Sequence, residues 1–200
     1  MVLLARTKAK DDCSKKTDGL SAFIIDLKKA VGNGLTIKPI DTMINHHSCE
    51  LFLDDLAVSS ENLLGDENDG FKVVLDAMNA ERILIASECI GDARYFIKKA
   101  TDSASNRIVF DRPIGANQGV SFPLARAYAN MVAAKLLVEK AATLFDANEH
   151  CGAEANMCKL LASEVSWFAG DTAMQTFGGF AFSKEYHIER KFRETRLYQI

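Results

Sequence analysis

The chain has 200 residues, of which 48% are hydrophobic and 26% are charged, which is ordinary for a globular protein in water. This length suffices for one or two domains with a real core. The formal net charge of -3 gives the chain no electrostatic reason to bind nucleic acid or an anionic membrane surface. No apolar run approaches the roughly 18 residues that a membrane-spanning helix needs, so we expect no membrane span.

The cysteines, the histidines and the N-terminus exclude three further classes. The five cysteines are scattered without a C-x-x-C pair, which favours free thiols in a reducing compartment over a disulfide or zinc framework. The four histidines include no Glu-x-x-His pattern, so the ligand set of a di-metal helical bundle is missing and we expect no metal. The first residues form only a very short apolar run without a cleavage-site pattern, so no targeting signal is predicted.

Residues 1–58 have the pattern of β structure. Strand-like apolar runs are predicted at residues 2–5, 20–27, 35–40 and 49–58. Pro39 at the end of the third run indicates an edge strand or a strand end. Because four such strands make a small sheet without a complete partner face, we predict part of a β domain here.

From residue 59 onward the pattern is helical. The polar, glycine-containing stretch 59–70 predicts a linker or turn. Long helical periodicity then predicts three helices, at about residues 70–100, 121–148 and 153–176. The last stretch, residues 183–200, predicts a short charged helix or an extended tail, and we expect this last helix to be truncated. The predicted fold class is α+β and mostly α, with a partial β-barrel-like domain over 1–58 and an antiparallel helical bundle over 59–200.

The ends and faces of the long helices can also be predicted. Ser121 is predicted to cap the second helix with Pro123 in its first turn, and Gly178 and Gly179 to end the third. The predicted buried side of the second helix consists of Ala125, Ala129, Val132, Ala133, Leu136, Leu137, Ala141 and Leu144. In the third helix, close packing is predicted for Leu160, Leu161, Ala162, Val165, Phe168, Ala169 and Ala173.

Glu81 interrupts an apolar stripe in the first long helix. With 100° per residue, it falls on the same side as Val74, Met78, Ile85 and Cys89. A carboxylate in such a place is costly to bury unless it is paired, protonated or used in chemistry. Two interpretations stay open at this point. Either Glu81 reaches water or pairs with Arg82 or a distant lysine, or it is a general base whose pKa is raised when a substrate excludes water.

Three spaced elements carry a resemblance to a known family. They are Asn79 to Arg82, the loop from Arg107 through Phe110 to Gln118, and the run Gln175 to Gly179 with the tail that follows it. Their order and spacing resemble the C-terminal half of an acyl-CoA dehydrogenase. Residues 52–86 resemble the join between the middle β domain and the C-terminal helical domain of that family. The resemblance covers essentially the whole chain.

The resemblance implies a reaction and a base. Members of the family remove a proton from Cα of an acyl-CoA thioester with a glutamate, while a hydride passes from Cβ to N5 of FAD. In most members the glutamate follows the segment that matches residues 196–200. In the isovaleryl-CoA and long-chain branches it stands directly before an arginine of the first long helix. Glu81 occupies that position, with Arg82 and Asn79 beside the substrate.

The resemblance also implies a cofactor and partners. Arg107 and Gln118 match positions that bind FAD, and Phe110 matches one that packs near it. The stretch that reaches the FAD of a partner subunit is matched by Gln175, Thr176, Phe177, Gly178 and Gly179. Implied partners are an acyl-CoA substrate, further copies in a dimer or tetramer, and electron-transfer flavoprotein as acceptor. The implied location is the bacterial cytoplasm or the mitochondrial matrix.

Each assignment has a plainer alternative. Arg107 can be a solvated loop residue, and residues 175–179 can be only a helix C-cap. Phe110 and Tyr198 suit packing, and a solvated face is predicted for Arg190, Lys191, Arg193 and Arg196. Asp111 stands where many members have glycine. For the whole chain, the alternative to an enzyme is a non-catalytic helical module that self-associates.

Overall fold

The computed structural model describes residues 1–44 and 47–200. The chain forms two compact units, residues 1–78 and residues 79–200. Most of the chain is helical, with small sheets near its beginning, which confirms the predicted fold class. The domain bounds predicted from the sequence, with a division after residue 58, stay a prediction.

The first unit contains two antiparallel β arrangements. A three-stranded sheet has β2 in its centre, and the two strands of a separate pair follow each other in the chain. In chain order the elements are β1 (Val2–Arg6), β2 (Leu20–Ile24), the one-turn helix α1 (Leu27–Ala30), β3 (Leu35–Ile40), β4 (Ser48–Leu53) and β5 (Leu63–Leu64). A small apolar core of Ile25, Ala30 and Leu35 lies beside them.

The four predicted strands are present, and a fifth was missed. The second strand ends earlier than predicted because Asp26 caps α1, its carboxylate accepting from the Lys28 N–H at 3.0 Å. The fourth strand ends at Leu53 rather than near residue 58. β5 lies inside the predicted linker, and a two-residue strand is too short to give a periodic signal.

The second unit holds the three predicted long helices and a fourth, short one. After α2 (Gly70–Asn106), which begins in the first unit, a hairpin of β6 (Ile108–Val109) and β7 (Arg112–Pro113) leads to α3 (Gln118–Asp146), α4 (Gly152–Phe177) and α5 (Ile188–Leu197). The short loop between α3 and α4 makes these two helices antiparallel neighbours. No helix in the described part of the chain is long and apolar enough to cross a membrane.

Two predicted helix ends were wrong. α2 continues six residues past Ala100, since Ala104 is buried and holds its last turns on the core. α3 begins at Gln118, so Ser121 is not its cap. The Ser121 hydroxyl donates to the Asn117 carbonyl at 3.2 Å from inside the helix, and Pro123 lies beyond the first turn.

The predicted buried side of α3 was largely wrong. The residues that face the core are Leu124, Ala127, Met131, Ala134, Val138 and Ala141, spaced alternately by three and four. Of the predicted set, only Ala141 is fully buried, and Leu136 is 63% exposed. The predicted stripe is therefore rotated by about one residue from the observed one. Both sides of this alanine-rich helix are apolar, so periodicity alone could not say which faces inward.

α4 presents small residues to the core, as predicted. Ala162, Val165, Ala169 and Ala173 are buried, although Leu160 and Leu161 of the predicted set are exposed. The helix ends at Gly178, whose φ of +62° fits glycine best, which confirms the predicted glycine end. All five cysteines carry free thiols, as predicted.

Candidate active site

Glu81 lies on α2 with its side chain exposed. In the described part of the chain no ion pair involves it. The predicted pairing with Arg82 is wrong, because the Arg82 guanidinium donates to the Asn79 side-chain oxygen at 3.3 Å instead. Asn79 and Arg82 are half-buried and lie one turn apart. The helix thus presents a free carboxylate next to an arginine that a neighbouring amide orients.

The start of α4 lies close to this group. A Cβ built on Gly152, the first residue of α4, would lie 4.0 Å from the Asn79 amide nitrogen. Helix N-termini have backbone N–H groups without partners in the helix, so this end of α4 is electropositive. The surroundings of Arg82 and Asn79 therefore suit a ligand with carbonyl or anionic oxygens.

The predicted cofactor loop forms the β6–β7 hairpin and the start of α3. Arg107 and Gln118 are exposed, and Phe110 at the hairpin turn is 93% exposed. Phe110 and Asp111 both have positive φ, +50° and +61°, as a two-residue primed turn demands. The hairpin thereby holds the Phe110 ring in water.

The run from Gln175 to Gly179 divides between surface and core. Gln175, Gly178 and Gly179 are exposed. The Thr176 hydroxyl donates to the Thr172 carbonyl at 2.7 Å inside the helix, and the buried Phe177 ring packs edge-on against Tyr186. Thr176 and Phe177 are buried, and the cofactor contact predicted for these two residues stays a prediction.

One cleft brings the two predicted cofactor segments together. It has a volume of about 290 Å³ and lies between the start of α3, with Gly119, Val120 and Pro123, and the end of α4, with Gln175 and Thr176. The predicted substrate-binding residues, Asn79 and Arg82, lie near the other end of α4 and are called the substrate group below. The rise of 1.5 Å per residue from Gly152 to Gln175 separates the two groups by about 34 Å. A single flavin ring cannot touch both groups of one chain.

The glycines at this cleft fit a large planar ligand. A Cβ added to Gly119 or to Gly179 would meet nothing within 4 Å, so no contact inside this chain requires glycine there. Open glycine backbone beside exposed Gln118, Gln175 and Arg107 suits a nucleotide, because backbone can come close and the arginine fork can bind a pyrophosphate. The residues present are therefore compatible with FAD.

A buried polar cluster between α2 and α5 was missed by the sequence analysis. The Lys191 ammonium contacts Asp92 at 2.8 Å and Glu194 at 3.0 Å, and Arg190 contacts Glu194 at 3.0 Å. The Tyr198 hydroxyl donates to Glu88. The predicted solvated face is wrong for Lys191, whose side chain is only 19% exposed. Of the rest of that face, Arg193 pairs with Glu189 and Arg196 lies over the Trp167 ring.

Burial and pairing shift the pKa values in this cluster. Desolvation raises the pKa of Asp92, although Lys191 opposes the shift. Desolvation works against the charged form of Lys191, but its hydrogen bonds to Asp92 and Glu194 prevail and raise its pKa. The pKa of Glu194 is lowered, since Lys191 and Arg190 outweigh its desolvation. Burial and then the hydrogen bond to Glu88 raise the pKa of Tyr198, and burial raises that of Cys89 to about 12.

Comparison with known proteins gives a matching family model and several similar relatives. Residues 68–200 match the model of the acyl-CoA dehydrogenase C-terminal domain. An acyl-CoA dehydrogenase of Bacillus subtilis (strain 168) is 37% identical over 185 residues, covering 91% of this chain and 48% of that protein. A subunit of the caffeyl-CoA reductase–Etf complex of Acetobacterium woodii is 36% identical over 193 residues, covering 96% of this chain and 51% of that protein.

A solved structure agrees with these relatives. Butyryl-CoA dehydrogenase from Megasphaera elsdenii has a TM-score of 0.90 and 32% identity, covering 100% of this chain and 51% of that one. A mostly helical bundle of this form is the fold of an acyl-CoA dehydrogenase C-terminal domain. The chain belongs to the acyl-CoA dehydrogenase family. It spans about half the length of the relatives that it matches.

Proposed function

We propose that this chain is part of a flavin-dependent acyl-CoA dehydrogenase, which converts an acyl-CoA thioester to the enoyl-CoA. The observation that carries the proposal is the Glu81 carboxylate, which makes no ion pair in the described part of the chain, beside the Arg82–Asn79 pair on α2. A general base must be reachable by its substrate and free of a competing cation, and Glu81 meets both conditions.

In this proposal Glu81 takes the proton from Cα of the thioester. The electron pair left at Cα forms the Cα–Cβ double bond as a hydride leaves Cβ. FAD, when bound, supplies the acceptor for that hydride. Arg82 and Asn79 stand beside the thioester and orient it, and the bound acyl chain excludes water from Glu81, which aligns and desolvates the base.

The residues that would hold FAD are those around the cleft of α3 and α4. Arg107 is the candidate for the pyrophosphate, because its fork makes paired charge-assisted hydrogen bonds. Gln118 and Gln175 offer neutral donors and acceptors, and Gly178 and Gly179 let the cofactor approach the backbone. Phe110 packs near FAD, while Thr176 and Phe177 support this segment from inside. These roles come from the family resemblance.

A second copy of the chain completes the site in this proposal. The substrate group and the cofactor group lie about 34 Å apart along α4, so a flavin held by Arg107 and Gln175 of one copy would serve Glu81 of another. The exposed Phe110 ring and the exposed apolar stripe of α3 are surfaces that such copies can cover. Dimer and tetramer both satisfy this requirement.

Electron-transfer flavoprotein is the proposed acceptor of the electrons. The support is a relative, 36% identical, that is a subunit of a caffeyl-CoA reductase–Etf complex. The substrate class is an acyl-CoA, as in the butyryl-CoA dehydrogenase of similar structure. The bacterial cytoplasm or the mitochondrial matrix are the compartments in which such a partner works.

The base is tested with Glu81→Gln. The variant and the unchanged chain are expressed alone and also in place of the matching half of the Bacillus subtilis relative, and turnover of acyl-CoA is followed with an artificial electron acceptor. We expect retained flavin absorbance and a loss of about 10²–10⁴-fold in kcat. Asp76→Asn, which removes an exposed carboxylate on the same helix, is the matched control and keeps full turnover.

Two outcomes decide between the enzyme and its alternative. If Glu81→Gln keeps most of the turnover, the base lies elsewhere. If the unchanged chain shows no flavin absorbance in either context, and its oligomers survive Arg107→Ala and Gln118→Ala, the chain is a non-catalytic assembly module. The burial of Thr176 and Phe177 in the core is the observation that favours this second candidate.

A further inference from the structure

α5 is a helix that cannot stand alone. It has ten residues, whereas isolated helices shorter than about 12–15 residues are marginal in water. Its cap residue, His187, has a φ of +59°, and no side chain caps the first turn. The helix therefore exists because its side chains dock on other helices.

The docking on α4 is a small contact of mixed chemistry. The Phe192 ring stacks on Trp167 at a centroid distance of 4.6 Å, and the Thr195 and Ser166 hydroxyls share a hydrogen bond. Gly170 makes room for this contact, since a Cβ there would come within 3.2 Å of Phe192. Besides Ile188, no aliphatic side chain of α5 is fully buried.

The docking on α2 is ionic and incompletely satisfied. The Lys191 ammonium bridges Asp92 Oδ1 and Glu194 Oε2, but Asp92 Oδ2, fully buried, has no hydrogen-bond partner within residues 1–44 and 47–200. The other ionisable groups that face this cluster are Glu88, Cys89 and Tyr95 of α2, Arg190 and Tyr198 at α5, and Lys159 of α4. A buried polar network with one unmet acceptor is less secure than a complete one.

We propose that α5 is a latch that opens and closes as a separate unit, fastened by Lys191 between Asp92 and Glu194. When the latch is closed, Tyr198 at its end is held on Glu88. The proposal stands on the shortness of α5, the polar chemistry of its docking and the unmet acceptor beneath it. Elements of low local stability open without global unfolding, and α5 has the features of such an element.

The latch closes on the side of α2 that carries Glu81. Glu88 and Asp92 follow Glu81 by seven and eleven residues, which places each of them within about 20° of Glu81 around the helix. An open latch therefore uncovers the stretch of this side that begins two turns beyond Glu81. The latch itself does not rest on the proposed function.

Hydrogen exchange of the whole chain, followed by mass spectrometry, tests the latch. Peptides from residues 188–197 report α5, and peptides from residues 152–177 report α4. We expect α5 amides to exchange at least about tenfold faster than α4 amides. Lys191→Met leaves Asp92 buried without its cation and Glu194 with Arg190 alone, and we expect it to accelerate α5 exchange about 100-fold while leaving α4 unchanged.

The control is Lys135→Met, which removes one partner of the surface pair with Glu139 on α3 and should change neither set of peptides. The latch is overturned if α5 and α4 exchange at the same rate in the unchanged chain, or if Lys191→Met accelerates both equally. The first comparison needs no variant, so it decides even if Lys191→Met does not fold. Neither flavin nor substrate is present, so the result is independent of the proposed enzyme activity.

Discussion

The contact between α3 and α4 and the docking of α5 are both helix–helix contacts, but they differ in chemistry. α3 and α4 meet through alanine, cysteine and valine at alternating spacings of three and four, as in a coiled-coil seam. α5 also packs through Ile188 and Phe192, but it adds a buried lysine–glutamate pair and the hydroxyls of a threonine and a tyrosine. Small apolar side chains let two helices approach closely. Long polar side chains instead keep α5 farther from the helix that they reach across to bind.

This difference separates the permanent part of the bundle from the part that can move. In the seam, stability comes from apolar burial and close packing, which no single contact dominates. In the docking of α5, most depends on whether each buried charge keeps its partner. The seam should therefore tolerate overfilling and added polarity poorly, whereas α5 should be sensitive above all to the loss of one charged partner.

The largest expected effect comes from breaking the ion cluster on one side. Lys191→Met should cost about 3–5 kcal/mol of α5 docking, because Asp92 stays buried without a cation and Glu194 keeps only Arg190. Replacing all three together, as Asp92→Leu, Lys191→Met and Glu194→Leu, should recover most of that loss. Urea unfolding followed by the emission of Trp167, the only tryptophan, measures both, since its ring stacks on α5. A triple variant as unstable as the single one would show that the charges are not what fastens α5.

Overfilling the seam should have the next largest effect. Ala162→Leu adds three carbons to a position of α4 with no exposed surface, and we expect a loss of about 1–3 kcal/mol. Thermal unfolding measures it. Ala153→Leu, at an exposed position at the start of the same helix, is the control. If Ala162→Leu leaves the melting temperature unchanged, the seam is not close-packed.

Alkaline pH should weaken the α5 side of the bundle. The pKa of Cys89 rises from its ordinary 9.0 to about 12, and those of Lys191 and Tyr198 are also raised. Between the unfolded and folded pKa values the folded chain keeps a proton that the unfolded chain releases, so stability falls as pH rises. One such group contributes a slope of about 1.4 kcal/mol per pH unit.

The slope is measured by urea unfolding between pH 8 and 10.5. Cys89→Ala should flatten it at the lower end of this range, whereas Cys49→Ala, at an exposed position of β4, should not. Cys158, whose pKa burial also raises, contributes in the same direction and leaves part of the slope in place. Stability that is constant over this range would contradict the burial of these groups.

The sequence predicted which elements exist better than what they touch. The long helices are predicted because their periodicity extends over many turns, and the glycine end of α4 is predicted because few other residues adopt its backbone. The pairing of Lys191 with Asp92 could not be predicted, because the sequence pattern of an exposed lysine does not differ from that of a lysine in a buried ion pair. At the candidate site, Asn79, Arg82 and Glu81 stay predictions from the order of motifs, and only the structure shows that Arg82 binds Asn79 rather than Glu81.

The outer stripe of α3 offers the smallest expected effect and the sharpest test of the seam. Leu136, at 63% exposure, belongs to the stripe that the periodicity predicted to be buried. Met131, at 4% exposure, belongs to the stripe that is buried in the structure. In a dilute single chain, Leu136→Ala should change stability by no more than about 0.5 kcal/mol and Met131→Ala should cost about 2–5 kcal/mol.

Repeating the measurement at rising concentration separates two reasons for an apolar outer stripe. A cost of Leu136→Ala that grows with concentration means that another copy covers it, because association stabilises the folded chain by mass action. If Leu136→Ala loses much stability even in dilute solution, Leu136 faces the core, as the periodicity predicted.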